Sequence, residues 1–268
     1  MIGNKKIAFV LSGGSAYGFA HVGFLKYMKE LGIEPDIIAG TSAGALIGGA
    51  YASGMEVEDI EKSVLEFERG KIIDLKFVPF IGDSVLVSKK VDVLLQSVFQ
   101  NKLIQNSDIK FVATAVDIDK GKIKYFKRGL YWEAIRASIS IPGLFTPYKI
   151  GEARYIDGGI MDNLPTTIAH NMGADIVIAV NVIDYSNAII EAKTGVHSLI
   201  NALTLAQKEI TRLKTQADLI INLKIKDVSM FGFRKKESML AINQGYIQTK
   251  KKAKEIKALF NIEQDANK

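Results

Sequence analysis

The stretch Asp36-Ile37-Ile38-Ala39-Gly40-Thr41-Ser42-Ala43-Gly44-Ala45-Leu46-Ile47 holds an apolar run, a glycine-flanked break and a second apolar run. The first run reads as a short strand and the second as a helix ending near Gly54. Between them, Gly40 to Gly44 has the form G-x-S-x-G, which acquires a mechanical meaning when it joins a strand to a helix. Such a turn leaves room only for small neighbours. Gly40 and Gly44 relieve that crowding, and Ser42 is held outward at a helix N-terminus, where the peptide dipoles favour a developing negative charge. The same letters arise by chance in many chains; their position after Asp36-Ile37-Ile38 and before Ala45-Leu46-Ile47 is what makes Ser42 a candidate nucleophile.

Upstream, the pattern occurs a first time. Ile7 to Leu11 is an apolar strand that runs into Ser12-Gly13-Gly14-Ser15-Ala16-Tyr17-Gly18, and from Gly18 to Leu31 the residues Phe19, Val22, Leu25 and Met28 recur at helical spacing before Gly32. Strand, turn, helix given twice is the grammar of an α/β protein with a mainly parallel sheet covered on both faces. Adjacent glycines before a helix let successive N–H groups converge on an anion. A nucleotide-binding loop would need G-x-G-x-x-G or a following Gly-Lys-Ser/Thr, and neither is present. An oxyanion hole built by Gly13, Gly14 and Ser15 accounts for both motifs, since parallel strands bring the two turns to one sheet edge.

A serine nucleophile needs a base. In Tyr155-Ile156-Asp157-Gly158-Gly159 an acidic residue ends a strand and is followed by two glycines that permit close approach, so Asp157 is the candidate, although Asp-Gly is also a common turn pair. Further strands are expected at Phe111–Asp117, Lys122–Phe126, Arg154–Ile156, Ile176–Val182 and Leu219–Ile225, with helices near 133–139, 163–172 and 196–216 and a last one from Ser238 to Leu259. Residues 66–105 are the least regular, and their apolar Phe77-Val78-Pro79-Phe80-Ile81 reads as core or as a flap over an apolar site. No repeat or linker interrupts the 268 residues, so one domain spanning 1–268 is expected.

With 0 Cys there is no disulfide, thiolate nucleophile or cysteine-bound metal, and His21, His170 and His197 are too scattered to form a metal site. The five-residue apolar run at the start is too short for a signal peptide and no segment resembles a membrane span, so a cytoplasmic protein is expected. The net charge of +6 is concentrated late: residues 207–268 carry 14 Lys/Arg against 7 Asp/Glu. This basic helical region, about 196–260, is either a solvated helix face or a contact for an anionic membrane surface. Nucleic acid is not indicated, because no aromatic and basic stripe accompanies the lysines.

Taken together, the glycine loop, the G-x-S-x-G turn and Asp157-Gly158-Gly159 resemble, in that order, the motifs of the patatin-like phospholipases. Ala20-His21-Val22-Gly23-Phe24-Leu25, the run from Ala134-Ile135-Arg136-Ala137-Ser138 through Ile141-Pro142-Gly143-Leu144-Phe145 to Pro147, and Asn163-Leu164-Pro165 are similar too, the likeness covering about residues 5–183. The resemblance implies a three-layer α/β/α sandwich and hydrolysis of fatty-acyl esters in phospholipids, lysophospholipids or neutral lipids with no metal or cofactor. It also implies a Ser–Asp dyad: Ser42 as nucleophile, Asp157 as base and the amides of Gly13, Gly14 and Ser15 as oxyanion hole, with Gly18, Gly40, Gly44, Gly158 and Gly159 shaping the turns. A lipid acyltransferase with the same dyad, or a non-catalytic lipid- or protein-binding member of the fold, is the alternative. Ser15 stands where the family has Gly, Tyr17 where Arg is usual and Asp162 where Asn is common; if position 15 needs a positive φ, the serine costs about 1 kcal/mol. His21 reads as a structural hydrogen-bonder rather than a catalytic part, His170 and His197 as structural or surface residues, and Met230-Phe231-Gly232-Phe233 as packing rather than a membrane-inserting tip.

Overall fold

The computed structural model describes residues 5–66, 83–185, 191, 195–230 and 232–262. In chain order its elements are β1 (Ile7–Leu11), α1 (Ala20–Glu30), β2 (Ile37–Thr41), α2 (Ala43–Ala52), α3 (Val57–Glu66), α4 (Asp83–Phe99), β3 (Lys110–Asp117), β4 (Lys122–Phe126) and α5 (Tyr131–Ser138). They continue with β5 (Tyr148–Ile150), β6 (Ala153–Asp157), α6 (Thr166–Asn171), β7 (Ile176–Asn181), α7 (Gly195–Lys214), β8 (Leu219–Asn222), α8 (Lys235–Lys250) and α9 (Ala253–Leu259). The apolar stretch Phe77–Ile81 lies outside the described residues.

Buried on both faces, β1 alternates its side chains between two apolar layers. Phe9 and Leu11 join the larger core under α1, α2 and α8, while Ala8 and Val10 join a smaller one with Leu164, Ile168 and Ala169 beside α6. The expected helix–sheet–helix layering is therefore present. β1 pairs in parallel with β2 and β7, β2 with β3, and β7 with β8.

The other half of the sheet is antiparallel, and it brings the catalytic candidates together. Along one edge β3 pairs with β4 from Ala113 to Asp117, so its other edge must serve two partners in succession. β2 runs up that edge and stops with Thr41 opposite Thr114, and β6 comes down to meet it with Asp157 opposite Ala115. The last residues of β2 and β6, Thr41 and Asp157, are thereby set end to end over consecutive positions of one strand, and Ser42 directly follows Thr41.

The expected single last helix is two, α8 and α9. The chain leaves helical geometry at Lys252, and the break turns Ile256 and Phe260 into the core. α8 packs against α1 backbone to backbone: a Cβ on Gly23 would overlap the Ile242 carbonyl, and one on Gly245 the Ala20 carbonyl. Tyr246 donates to Glu30 at 2.6 Å, and Lys250 lies 3.9 Å from the same carboxylate. Glu30 ends the helix that descends from the glycine loop, so Lys250 lies at the end of the sheet where the parallel strands begin. Beyond β8, Gln244 and Gln248 of α8 pair through both amide atoms with the backbones of Lys226 and Lys224, at 2.8–2.9 Å. Among the described residues, no helix is long and apolar enough to cross a membrane.

Candidate active site

Ser42 sits between β2 and α2 with φ 53° and ψ −121°, a conformation that costs a non-glycine residue on the order of 1–3 kcal/mol. The surroundings impose it. A Cβ on Gly44 would overlap the Leu11 carbonyl, so α2 starts in contact with the end of β1; Gly40 lies as closely against Gly44. The Ser42 N–H donates to Ser138 Oγ at 2.8 Å, and the Ser42 carbonyl accepts from Leu46 N–H at 3.0 Å.

Asp157 faces the serine from the end of β6. Its carboxylate is buried and accepts the Gly159 N–H at 2.8 Å. Burial pushes its pKa up to about 6, against the opposing pull of the Ser42 side chain and the Gly159 N–H. The two glycines after it serve close approach, as the sequence suggests: Gly158 is pressed against the Thr114 carbonyl, and Gly159 fits among Gln207, Asn163 and Asp157 itself.

The glycine loop reaches the same place. Gly18 packs on Ala43, seating the turn Ser15–Phe19 directly on the start of α2. Here the geometry departs from expectation, because the Gly13 N–H is already engaged by the Asn163 carbonyl at 3.3 Å. Among the described residues, the Gly14 and Ser15 N–H groups have no acceptor, so of the three expected oxyanion donors two are unengaged. Ser15 has φ 51°, the left-handed region, which is where the family's glycine would be at ease.

Ser42, Asp157, Gly13, Gly14 and Ser15 line one cavity of about 110 Å³. Its remaining walls are mostly apolar, with Ile141, Pro142, Ile160, Ile183, Leu203 and Met230, and α7 adds the polar Thr204 and Gln207. Nothing in the composition of α7 marks Gln207 for this position. Met230 also anchors the loop, its carbonyl accepting the Ala16 N–H at 3.0 Å. Among the described residues, no cluster of His, Asp and Glu could hold a metal.

The histidines are accounted for differently. His21 is fully buried, its Nε2 is 2.9 Å from the Ser12 carbonyl, Nδ1 has no partner, and burial drops its pKa to about 4. It is thus a neutral ring with its proton on Nε2, donated to the chain just before the glycine loop. His170 is exposed and contacts the Gln216 carbonyl at 3.1 Å. The His197 side chain lies outside the described residues. Of the departures, Asp162 is buried and accepts the Tyr125 hydroxyl at 2.6 Å, while its own carbonyl accepts from Thr41. Tyr17 is half-buried and packs on the core.

The fold thus brings a serine in a strained strand-to-helix elbow, a buried aspartate and a glycine-rich loop to one cavity. The chain belongs to the patatin-like phospholipase family, whose model matches residues 9–170. It is 35% identical over 168 residues to an NTE family protein of Mycobacterium tuberculosis, covering 62% of this chain and 28% of that one. With a lysophospholipase of Emericella nidulans the identity is 33% over 186 residues, covering 66% and 12%. The chain thus spans under a third of either relative. VipD from Legionella pneumophila shares the fold at a TM-score of 0.55 and 16% identity, covering 92% of this chain and 66% of that one. The type III effector protein ExoU does so at 0.50 and 12%, covering 94% and 53%.

Proposed function

We propose that the protein hydrolyses carboxylic esters of lipids, phospholipids or lysophospholipids among them, through Ser42 and Asp157. The observation that carries this reading is that the buried Asp157 carboxylate, raised by burial to about 6, lines one cavity with Ser42 and the glycine loop. An ordinary aspartate, near 3.9, is too weak a base for a hydroxyl at neutral pH; one near 6 is still ionised at pH 7 and has gained basicity. As Ser42 Oγ attacks the ester carbonyl, its proton passes to Asp157, and the oxyanion is received by the Gly14 and Ser15 amides. Collapse of the tetrahedral intermediate breaks the bond to the alcohol, which leaves with the proton from Asp157. Water then attacks the acyl-serine with Asp157 again as base, releasing the fatty acid and restoring Ser42. The apolar walls suit an acyl chain, and family membership supports a lipid ester.

The lysines from Lys250 to Lys257 are read as a solvated face. Lys250 pairs with Glu30 and Lys252 with Glu255, and a membrane held at Lys250 would lie at the end of the sheet away from Ser42.

The test is labelling by a fluorophosphonate probe together with hydrolysis of p-nitrophenyl esters of graded chain length, phospholipids and lysophospholipids. Labelling of the wild type but not of Ser42→Ala, with fatty acid released, is expected. Product analysis in the presence of a glycerol-type acceptor separates hydrolysis from acyl transfer. Wild-type protein that neither labels nor releases fatty acid would be a binding member of the fold.

A further inference from the structure

Arg136 and Ser138 of α5, and Ser140 just after it, are fully enclosed and do not line the cavity. Polar groups kept so deep in a core require partners, and the identity of those partners shows what the groups do there. Ser138 Oγ accepts the Ser42 N–H at 2.8 Å and donates to the Thr114 carbonyl at 2.6 Å. Thr114 is the β3 residue opposite Thr41, and its carbonyl is also the surface against which Gly158 is pressed. One hydroxyl therefore joins the nucleophile's backbone to the strand on which both halves of the site meet. Two residues later the Ser140 carbonyl accepts the Asp157 N–H at 2.9 Å. Ser140 Oγ is in turn held by Arg136, which donates to it through Nη1 at 2.7 Å, pairs with Asp92 of α4 and lies under the rings of Phe145 and Tyr148.

We propose that Ser138 is the positioning residue of the nucleophile, holding the Ser42 backbone in its positive-φ conformation so that Oγ stays aligned with Asp157. The inference rests on the dyad reading above. A serine at φ 53° returns to ordinary backbone geometry unless its neighbours over-determine it, and Ser138 supplies the acceptor for its N–H. Engaging that N–H also removes it from the set of oxyanion donors, leaving the charge to the loop. Because the same turn carries the Ser140 contact to Asp157, the separation of nucleophile and base is fixed by one short piece of chain.

The test compares the full-length wild type with Ser138→Ala and Ser138→Thr on a short p-nitrophenyl ester, with fluorophosphonate labelling and thermal melts in parallel. For Ser138→Ala, kcat is expected to fall by about 10- to 10²-fold, the scale on which misplacement of a reacting group acts, with KM unchanged and the protein folded. Ser138→Thr, which keeps the hydroxyl, is expected to recover at least fivefold of that loss. Should the alanine variant not fold, Ser138→Cys keeps the shape with a much weaker hydrogen-bonding group and is expected to lose about tenfold in kcat. A folded alanine or cysteine variant within twofold of wild type overturns the proposal, as does an equal loss in the alanine and threonine variants with KM raised in both. An inactive, unlabelled wild type would overturn the dyad reading instead.

Discussion

At the scale of single residues, the charge on Asp157 sets the expected response to pH. Burial pushes its pKa up to about 6. If Asp157 must be ionised to act, ester hydrolysis is expected to fall as pH drops through about 6, and a rate profile from pH 4 to 9 on a short ester checks this. Sequence makes Ser42 a candidate through G-x-S-x-G between strand and helix, and Asp157 through the need for a base, but burial, which raises the carboxylate, is encoded by no local pattern. Ser42→Ala and Asp157→Asn are each expected to abolish turnover in a folded protein. The loop donors show the opposite case, because a glycine-rich string reveals the loop but not that Gly13 is already engaged by Asn163. Ser15 yields a signed prediction. Glycine ordinarily lowers stability by loosening the unfolded chain, but at φ 51° it also removes about 1–2 kcal/mol of steric cost. Ser15→Gly is therefore expected to match or exceed the wild type in urea denaturation.

Among the elements, the first strand–turn–helix unit is readable from the spacing of Phe19, Val22, Leu25 and Met28 before Gly32, and the second from two apolar runs parted by G-x-S-x-G. The antiparallel return of β6 was not. β5 is three residues and β6 five, too short to display a period, and only pairing with β3 reveals that β6 meets β2 head on. Helix α4 was hidden in a stretch that looked irregular, and the close crossing of α1 and α8 had no signal beyond two glycines far apart in sequence. That crossing has a measurable consequence. Gly245→Ala adds helix propensity worth about 1 kcal/mol but drives a methyl into the Ala20 carbonyl, and overpacking of this kind costs about 1–3 kcal/mol. Net destabilisation is expected in thermal melts. Since Ala20 opens the helix that follows the glycine loop, the ester rate should fall with it.

Across the whole molecule, two buried groups titrate against each other. Asp157 binds its proton more tightly folded than unfolded between about pH 4 and 6, so its contribution to stability is lost as pH rises through that window. His21, held down to about 4, is more protonated in the unfolded chain between about 4 and 6.5, so its contribution grows with pH there. Each shift, roughly two pH units, is worth on the order of 3 kcal/mol, and the two slopes nearly cancel. Asp157→Asn is expected to uncover the rising slope: relative to wild type, its melting temperature should gain between pH 4.5 and 7. A constant difference across that range would exclude a raised carboxylate pKa. Charge on the surface gives a second expectation at this scale. Replacing Lys250, Lys251, Lys252, Lys254 and Lys257 by Gln is expected to leave both flotation with anionic liposomes and hydrolysis of vesicle lipid unchanged; a collapse of either would make the segment a membrane contact.

The pairing of Gln244 and Gln248 with Lys226 and Lys224 bears on how the protein behaves in a crowd. Sheets that end in bare backbone recruit further strands from other molecules, and that is a route to aggregation. Past β8 the chain presents N–H and C=O groups outward at alternate positions, and the two glutamines, one helical turn apart, satisfy them as a neighbouring strand would. A helix here acts as a seal on the chain that continues past β8. Removing both amides, as in a Gln244→Ala, Gln248→Ala variant, should make the sedimentation of the protein depend more steeply on concentration than that of the wild type.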